Sequence, residues 1–262
     1  MYFGKDIEEC NKMIWSEKLK KLESALSRWK ARNLTYYGKI SVVKTFGISQ
    51  LLYCAYSVHV PDYVIKEANK MLFQFIWSSK KEKVKRTTIT GYMEYGGLKM
   101  IDLENQIRAM KLKWISRLFA ENDKSIWIKI ANFWFEQVGG INFVLNLKCK
   151  SSDVTEITKD QIPKFYTEVL KSWFLLKEKN NYTSIQDVQV LDDQIIWYNS
   201  NIKFRNKLLM FKKWKDAGIM YLSDIVVNNR FINVIELREM IRCPNDVFNL
   251  QTILTAIPKN GK

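Results

Sequence analysis

The sequence predicts a mainly α-helical protein, in which a helical bundle with a small β element precedes a looser, mostly helical domain. Apolar residues recur at helical spacing in several long segments. Only 10 Gly and 4 Pro occur in 262 residues, which favours long helices over turn-rich sheets. Hydrophobic residues make up 47% of the chain and aromatic residues 13%, so a sizeable core is expected and global disorder is excluded.

Three helices are predicted in the N-terminal part of the chain. Apolar residues at roughly helical spacing, with Lys and Glu between them, predict an amphipathic helix over residues 6–31. The segment 39–58 is apolar nearly all round, so it should form a central helix that ends before Pro61. A third helix is predicted over residues 62–77, with Asp62 as its N-cap.

The small β element is predicted at about residues 84–100. All four residues at positions 87–90 are β-branched and several glycines follow, which is typical of a short hairpin or a loop. Asp102 is then expected to cap a strong helix that runs to about residue 120. Residues 1–120 are therefore expected to form one helical domain.

Residues 121–262 are expected to form the second domain, where the periodic signals are weaker. A polar, Gly-containing loop or linker is predicted over residues 139–162. Strands and a short helix around 208–216 are predicted within residues 195–227, where aromatic residues alternate with Asn and Lys. Short helices are predicted at residues 124–137, 163–178, 230–241 and 246–257.

The net charge of +15 is concentrated near the N-terminus. Residues 1–117 hold 22 Lys and Arg against 11 Asp and Glu, whereas the remainder holds 20 against 16. A basic domain attracts polyanions, and nucleic acid is the commonest of them. The alternative is a basic protein without an anionic partner, and charge alone does not separate the two.

The cysteine and histidine content argues against a metal centre. Four cysteines lie far apart and His59 is the only histidine, so zinc ligands do not cluster and no metal or other cofactor is predicted. The N-terminus lacks a signal-peptide pattern, and the longest apolar stretch, residues 46–60, is too short to span a bilayer. We therefore expect no membrane partner and an intracellular protein, in the nucleus or the cytoplasm.

Several segments carry a resemblance to a known family. They are Trp29-Lys-x-Arg-x-Leu-Thr-x-x-Gly-Lys39, Phe75-Ile-Trp77, the basic run at residues 80–86 and Gly96-Gly97-Leu98. In this order and spacing they resemble the region that follows the polymerase palm in reverse transcriptases of LINE-type (non-LTR) retrotransposons. Tyr2-Phe3-Gly4 resembles the tract at the end of that palm. The downstream connector of the family is similar to three further segments, Ile196-Trp197-x-Asn199, Trp214-x-x-x-Gly218-Ile219 and Asp224.

The resemblance implies a thumb-like helical domain that holds a template–primer duplex, followed by a connector. The family's catalytic aspartates lie upstream of the tract that Tyr2-Phe3-Gly4 resembles, and polymerisation needs such carboxylates to hold two metal ions. The chain is therefore expected to be a non-catalytic C-terminal fragment, with the palm and fingers of the parent RNA-directed DNA polymerase as a partner. Asp192-Asp193 resembles the polymerase aspartate pair, but the preceding Leu191 and the downstream position predict a solvated acidic turn.

The predicted binding residues are cations that would contact the phosphates of an RNA–DNA or DNA duplex. Guanidinium groups at Arg28 and Arg32 suit phosphate oxygens, although a solvated helix face or an ion pair is the alternative. Gly38-Lys39 would open the central helix, where free N–H groups attract an anion or simply start the helix. The run at residues 80–86 would track a nucleic-acid backbone, act as a nuclear import signal or form an exposed loop. The full predicted set is Arg28, Arg32, Lys39, Lys44, Lys80, Lys81, Lys83, Lys85, Arg86, Arg108 and Lys111.

The predicted function is sequence-independent binding of nucleic acid through backbone phosphates. A helical module that docks on a partner protein is one alternative, and an inert remnant of a mobile element is another. Convergence of the predicted cations on one surface would favour nucleic-acid binding, whereas scattered cations would favour the docking module.

Overall fold

A computed structural model describes residues 6–78, 81–120, 125–159, 161–180, 194–228, 230–241 and 246–257. The protein is 67% helical and 4% strand, which confirms the predicted mainly α fold. The chain forms two compact units, Met1–Glu121 and Asn122–Lys262, and each has its own buried residues. Among the described residues, no helix has the length and apolar character needed to cross a membrane.

The first unit opens with α1 (Ile7–Lys30), as predicted. The Asp6 carboxylate caps α1 by accepting hydrogen bonds from the backbone N–H groups of Glu8 and Glu9. One stripe of α1 faces the core, because residues spaced by three or four positions share a helix face. Its buried members are Trp15, Leu22, Ala25 and Leu26.

The predicted central helix is present but is interrupted by a π-helical segment. It consists of α2 (Tyr36–Val42), the π-helical residues Val43–Ile48 and α3 (Ser49–Ser57). Gly47 allows close packing in the π segment, since a Cβ there would lie 3.3–3.4 Å from the side chains of Leu22, Leu26 and Leu72. A π segment adds a residue to a helical turn, and the apolar pattern carried no signal for it.

Two further long helices complete the first unit. In α4 (Asp62–Ile76), Asp62 is the first helical residue and Pro61 takes the N-cap position, so the prediction that Asp62 is the N-cap was wrong. In α6 (Leu103–Leu118), Asp102 accepts a hydrogen bond from the N–H of Asn105, as predicted for a cap. The apolar stripes of both helices join the core that includes the buried face of α1.

The β element predicted at residues 84–100 is instead a short helix, α5 (Arg86–Thr90), followed by a 3₁₀ turn at Met93–Tyr95. The Ile89 carbonyl accepts hydrogen bonds from the N–H groups of Leu98 and Met100, which closes a tight loop. Gly97 makes this closure possible, because a Cβ there would lie 2.2 Å from the Gly91 carbonyl oxygen. The backbone N–H and C=O groups that would pair two strands of a hairpin therefore form hydrogen bonds within the loop instead.

The second unit begins with four helices. These are α7 (Ile126–Glu136), α8 (Ile141–Asn146), α9 (Val154–Thr158) and α10 (Lys164–Lys179). Two of them lie at residues 139–162, so the prediction of a loop or linker there was wrong. The buried side chains of Val144, Leu147 and Val154 give this segment its own apolar contacts despite its polar composition.

The strands lie in the second unit, within and just beyond the tract where they were predicted. Lys203–Phe204 (β1) pairs antiparallel with Lys207–Leu208 (β2), and Val226–Val227 (β3) pairs with Arg230–Phe231 (β4). The other α-helices among the described residues of this unit are α11 (Lys212–Asp216), α12 (Val234–Met240) and α13 (Asp246–Ala256). Trp197 and Trp214 are buried, and the indole N–H of Trp197 donates to the Ile219 carbonyl at 2.7 Å.

Candidate nucleic-acid interface

A cleft of about 400 Å³ lies between the C-terminal ends of α1 and α4, in the first unit. Three cations line it, and two of them, Arg32 and Lys39, belong to the predicted set; the third is Lys30. Two side-chain amides, Asn33 and Gln74, also face the cleft. None of the described residues that line the cleft is acidic, so a net positive potential is expected inside it.

The chain reversal after α1 brings these cations together. Helix α1 ends at Lys30, and the N–H of Arg32 donates to the Trp29 carbonyl at 3.2 Å. Leu34 is half-buried against the core and fixes the end of the reversal. Arg32 thus lies beyond the helix, so it does not share a helical face with Arg28, which is exposed on the last turn of α1.

Arg32 is held by an aromatic ring. Its guanidinium carbon lies 4.3 Å from the centroid of the Trp29 ring, in the range of a cation–π contact. The Trp29 ring in turn lies 5.2 Å from the ring of Phe46, which projects from the π segment. Trp29 and Arg32 therefore border the cleft together, with Phe46 behind Trp29, and Arg32 remains exposed.

Lys39 is fixed at the opposite wall. Its ammonium donates hydrogen bonds to the Ile76 carbonyl at 3.1 Å and to the Ser78 hydroxyl at 2.5 Å. It also lies 5.7 Å from the centroid of the Tyr36 ring. An ammonium has three N–H donors, so one remains for an anion in the cleft.

The predicted basic run is only partly described, since Lys80 lies outside the described residues. Lys81, Lys83 and Lys85 are exposed. The Arg86 guanidinium forms a hydrogen-bonded ion pair with Glu82 at 2.5 Å, and this bond lowers the pKa of the Glu82 carboxyl below its ordinary value. Arg86 also lies 4.4 Å from the centroid of the Phe73 ring on α4, so its charge is partly neutralised and its position is fixed.

The other predicted cations differ in availability. Arg108 forms an ion pair with Glu104 one turn earlier on α6, and Lys44 is partly exposed in the π segment. Lys111 is fully buried, and its ammonium donates to the Val58 carbonyl at 2.8 Å. The prediction that Lys111 contacts phosphate was therefore wrong, because a fully buried ammonium bound to the end of α3 does not reach a polymer in solvent.

A second cavity, of about 620 Å³, lies in the second unit and is lined by Lys148, Lys177 and Trp173 among others. The Lys177 ammonium donates to the carbonyls of Leu145, at 3.1 Å, and Leu147, at 2.8 Å. Burial lowers the pKa of Lys177, which disfavours its charged form. This cavity is larger than the cleft, but its Lys177 ammonium is less available to bind a phosphate.

Lys30 and the two amides were not predicted from the sequence. The neighbours of Lys30 in the family-like segment were the only signal that could have found it, whereas Gln74 comes from a different helix and gave none.

Asp192-Asp193 lies outside the described residues. Among the described residues, no group of three or more His, Cys, Asp and Glu side chains is arranged to hold a metal ion.

Comparison with known proteins gives one distant similarity. No family model matches the chain. A protein of Arabidopsis thaliana, provisionally named a ribonuclease H protein, is 25% identical over 125 residues. The matched segment covers 46% of this chain and 20% of that protein, so the similarity spans a small part of the relative.

Proposed function

We propose that the chain binds nucleic acid through backbone phosphates at the cleft, as a non-catalytic part of a non-LTR retrotransposon reverse transcriptase. The observation that carries the proposal is the gathering of Lys30, Arg32 and Lys39 around a cleft without an acidic lining residue. Guanidinium and ammonium groups bind phosphate oxygens, and low local negative charge keeps them available.

Two further observations support the proposal. The exposed Lys81, Lys83 and Lys85 follow α4, whose C-terminal end forms one wall of the cleft. The distant relative is named for a ribonuclease, a class of protein that acts on nucleic acid. Template–primer duplex, as RNA–DNA hybrid or DNA, is the proposed ligand, and the catalytic carboxylates would belong to the palm of the parent polymerase.

Salt dependence of the affinity for a labelled RNA–DNA hybrid tests the proposal. If the three cleft cations and the three exposed lysines each neutralise one phosphate, affinity should fall roughly a thousandfold between 50 and 200 mM salt. The double variant Arg32→Gln, Lys39→Gln should reduce the logarithmic salt slope by about two.

A charge-matched control uses two lysines earlier on α1. The double variant Lys12→Gln, Lys20→Gln removes the same charge from exposed positions, which lie about 27 Å and about 15 Å from Lys30 along the helix. It should alter the slope much less than the cleft variant. An affinity that is flat across the salt range would overturn the proposal and leave a docking module or an inert remnant.

A docking module is the second candidate, and one feature of the second unit favours it. Ile126, Ile130 and Phe133 on α7 are 75%, 49% and 60% exposed, and their spacing places them on one helix face. If this function holds, the native chain should sediment as a complex with its partner protein. The double variant Ile130→Gln, Phe133→Gln should sediment without that partner.

A further inference from the structure

We infer that the cleft receives one unpaired nucleotide of a nucleic-acid strand, with its base against Arg32 and its phosphate against Lys30 and Lys39. This inference rests on the proposed function and specifies the ligand at the same site. It changes the expected ligand from a uniform duplex to a duplex with an unpaired strand.

The size of the cleft favours a single nucleotide. About 400 Å³ falls within the range of sites that enclose small molecules. A duplex is too wide to enter such a cleft and would contact only its rim. An unpaired nucleotide can swing out of the helical stack, so its base can enter a concave site that paired bases do not reach.

The second argument is the contact between Arg32 and Trp29, which both line the cleft. Arg32 lies with its guanidinium against Trp29, and Trp29 contacts the half-exposed ring of Phe46. Arg32 contacts the Trp29 ring and is nevertheless exposed, so this pair has surface that a base can cover. Unpaired bases stack on guanidinium planes and aromatic rings, whereas phosphate binding alone needs no such platform.

The third argument is the mixture of polar groups inside the cleft. The Asn33 and Gln74 amides each offer both a donor and an acceptor, which suits the edge of a base. Lys30 and the remaining N–H of Lys39 supply charge for the phosphate attached to that base. Stacking surface, base-edge groups and phosphate-binding cations thus occur within one small volume.

The experiment compares two hybrids that carry the same charge. Both have a short single-stranded extension, which bears normal bases in one hybrid and abasic sugars in the other. Stacking of one base is worth about 1–3 kcal/mol, so the native chain should bind the base-bearing hybrid at least about fivefold more tightly. The variant Arg32→Lys keeps the charge but removes the planar platform, so this ratio should fall towards one.

A conservative control and a spectroscopic readout complete the test. Arg238→Lys makes the same exchange at an exposed position in the second unit, and its ratio should equal that of the native chain. With 2-aminopurine in the extension, binding should raise the fluorescence because the base leaves its neighbours in the strand, and Arg32→Lys should reduce this rise.

The outcomes separate this inference from the proposed function. Equal affinities for the two hybrids, with strong salt dependence for both, would overturn the inference and leave phosphate binding in place. A base preference that Arg32→Lys retains would overturn the assignment of the base to Arg32. Weak, salt-independent binding of both hybrids would overturn the proposed function itself.

Discussion

Two cavities, one in each unit, contain lysine and tryptophan side chains but present them differently. In the cleft of the first unit, Lys39 donates to the Ile76 carbonyl and the Ser78 hydroxyl, whereas Lys30 and Arg32 have no side-chain hydrogen bond or ion pair among the described residues. In the larger cavity of the second unit, Lys177 donates to two backbone carbonyls and Trp173 donates to one of them. Cavity size therefore does not indicate how available a cation is, whereas the acceptors around that cation do.

Ion pairs make some cations less available in both units. In the second unit, Asp153 accepts hydrogen bonds from Ser200 at 2.6 Å and from Lys203 at 3.0 Å. In the first unit, Arg86 and Arg108 are paired with Glu82 and Glu104. Cations with such partners stabilise the fold locally, whereas cations without them are available to a ligand.

The largest effect is expected from Lys177→Met. The variant keeps much of the apolar stem but removes the donor to the Leu147 carbonyl, while the Leu145 carbonyl keeps the Trp173 indole N–H. One buried acceptor left unpaired costs about 1–3 kcal/mol. The free energy of unfolding, measured in urea, should fall by about that amount. Lys171→Met, at an exposed position on the same helix, should change it little, and equal losses in both variants would contradict the structural role of Lys177.

Placing a carboxylate in the cleft should give its cations an acceptor and make them less available to a ligand. Asn33→Asp is nearly isosteric and adds one negative charge beside the cations, so nucleic-acid affinity should fall by roughly tenfold, equivalent to about 1.4 kcal/mol. Fluorescence anisotropy with a labelled hybrid measures the change. Asn69→Asp on α4 adds the same charge outside the cleft lining and should have a clearly smaller effect; similar losses would mean that only net charge matters.

The Asp153 network should give a pH-dependent contribution of up to about 1 kcal/mol. Burial acts to raise the pKa of Asp153, but the hydrogen bonds from Ser200 and Lys203 outweigh it and hold that pKa below its ordinary value. The stabilisation is therefore complete above the unfolded pKa of about 3.9 and is lost as pH falls through the lower folded pKa. Asp153→Asn should be less stable than the native chain at pH 7 by urea unfolding, and the gap should close in acid. A gap that is constant with pH would contradict this account.

The smallest effect is expected from Glu82→Gln. The substitution removes the carboxylate that pairs with Arg86, so Arg86 becomes available and affinity for the hybrid should rise about twofold, a few tenths of a kcal/mol. The gain should vanish in the double variant Glu82→Gln, Arg86→Gln. The double variant has the same net charge as the native chain, so a gain that persists there would come from loss of the Glu82 carboxylate itself rather than from release of Arg86.

The long helices were predictable because their signal is local. The 3.6-residue period of α1, α4 and α6 appears in the sequence and the structure alike. The loop at residues 84–100 was not predictable, because it depends on the close approach of Gly97 to Gly91 in space. In the sequence, glycines at this spacing look like those of a hairpin. The π segment was missed because one added residue barely alters an apolar pattern that already covers most of the helix.

The candidate site was predictable only in part, for a similar reason. Arg32 and Lys39 were identified from a family-like segment, and both line the cleft. Lys111 was misassigned, although it lies four residues after Ile107 and four before Ile115, in the row of α6 that faces the core. The sequence shows that Arg86 and Arg108 each have an acidic neighbour within about one helical turn. It does not show that the Lys111 ammonium meets a carbonyl at the end of another helix.

Gly97 sets a condition on any related chain. A methyl group at this position would overlap the Gly91 carbonyl oxygen, so no other amino acid is compatible with the same closed loop. Lineages that keep the loop should therefore keep this glycine through long divergence, even where the surrounding residues drift. Its loss would mark the branches in which the segment after α4 has been rebuilt, and a collection of genomes can be sorted on that basis before any further structure is determined.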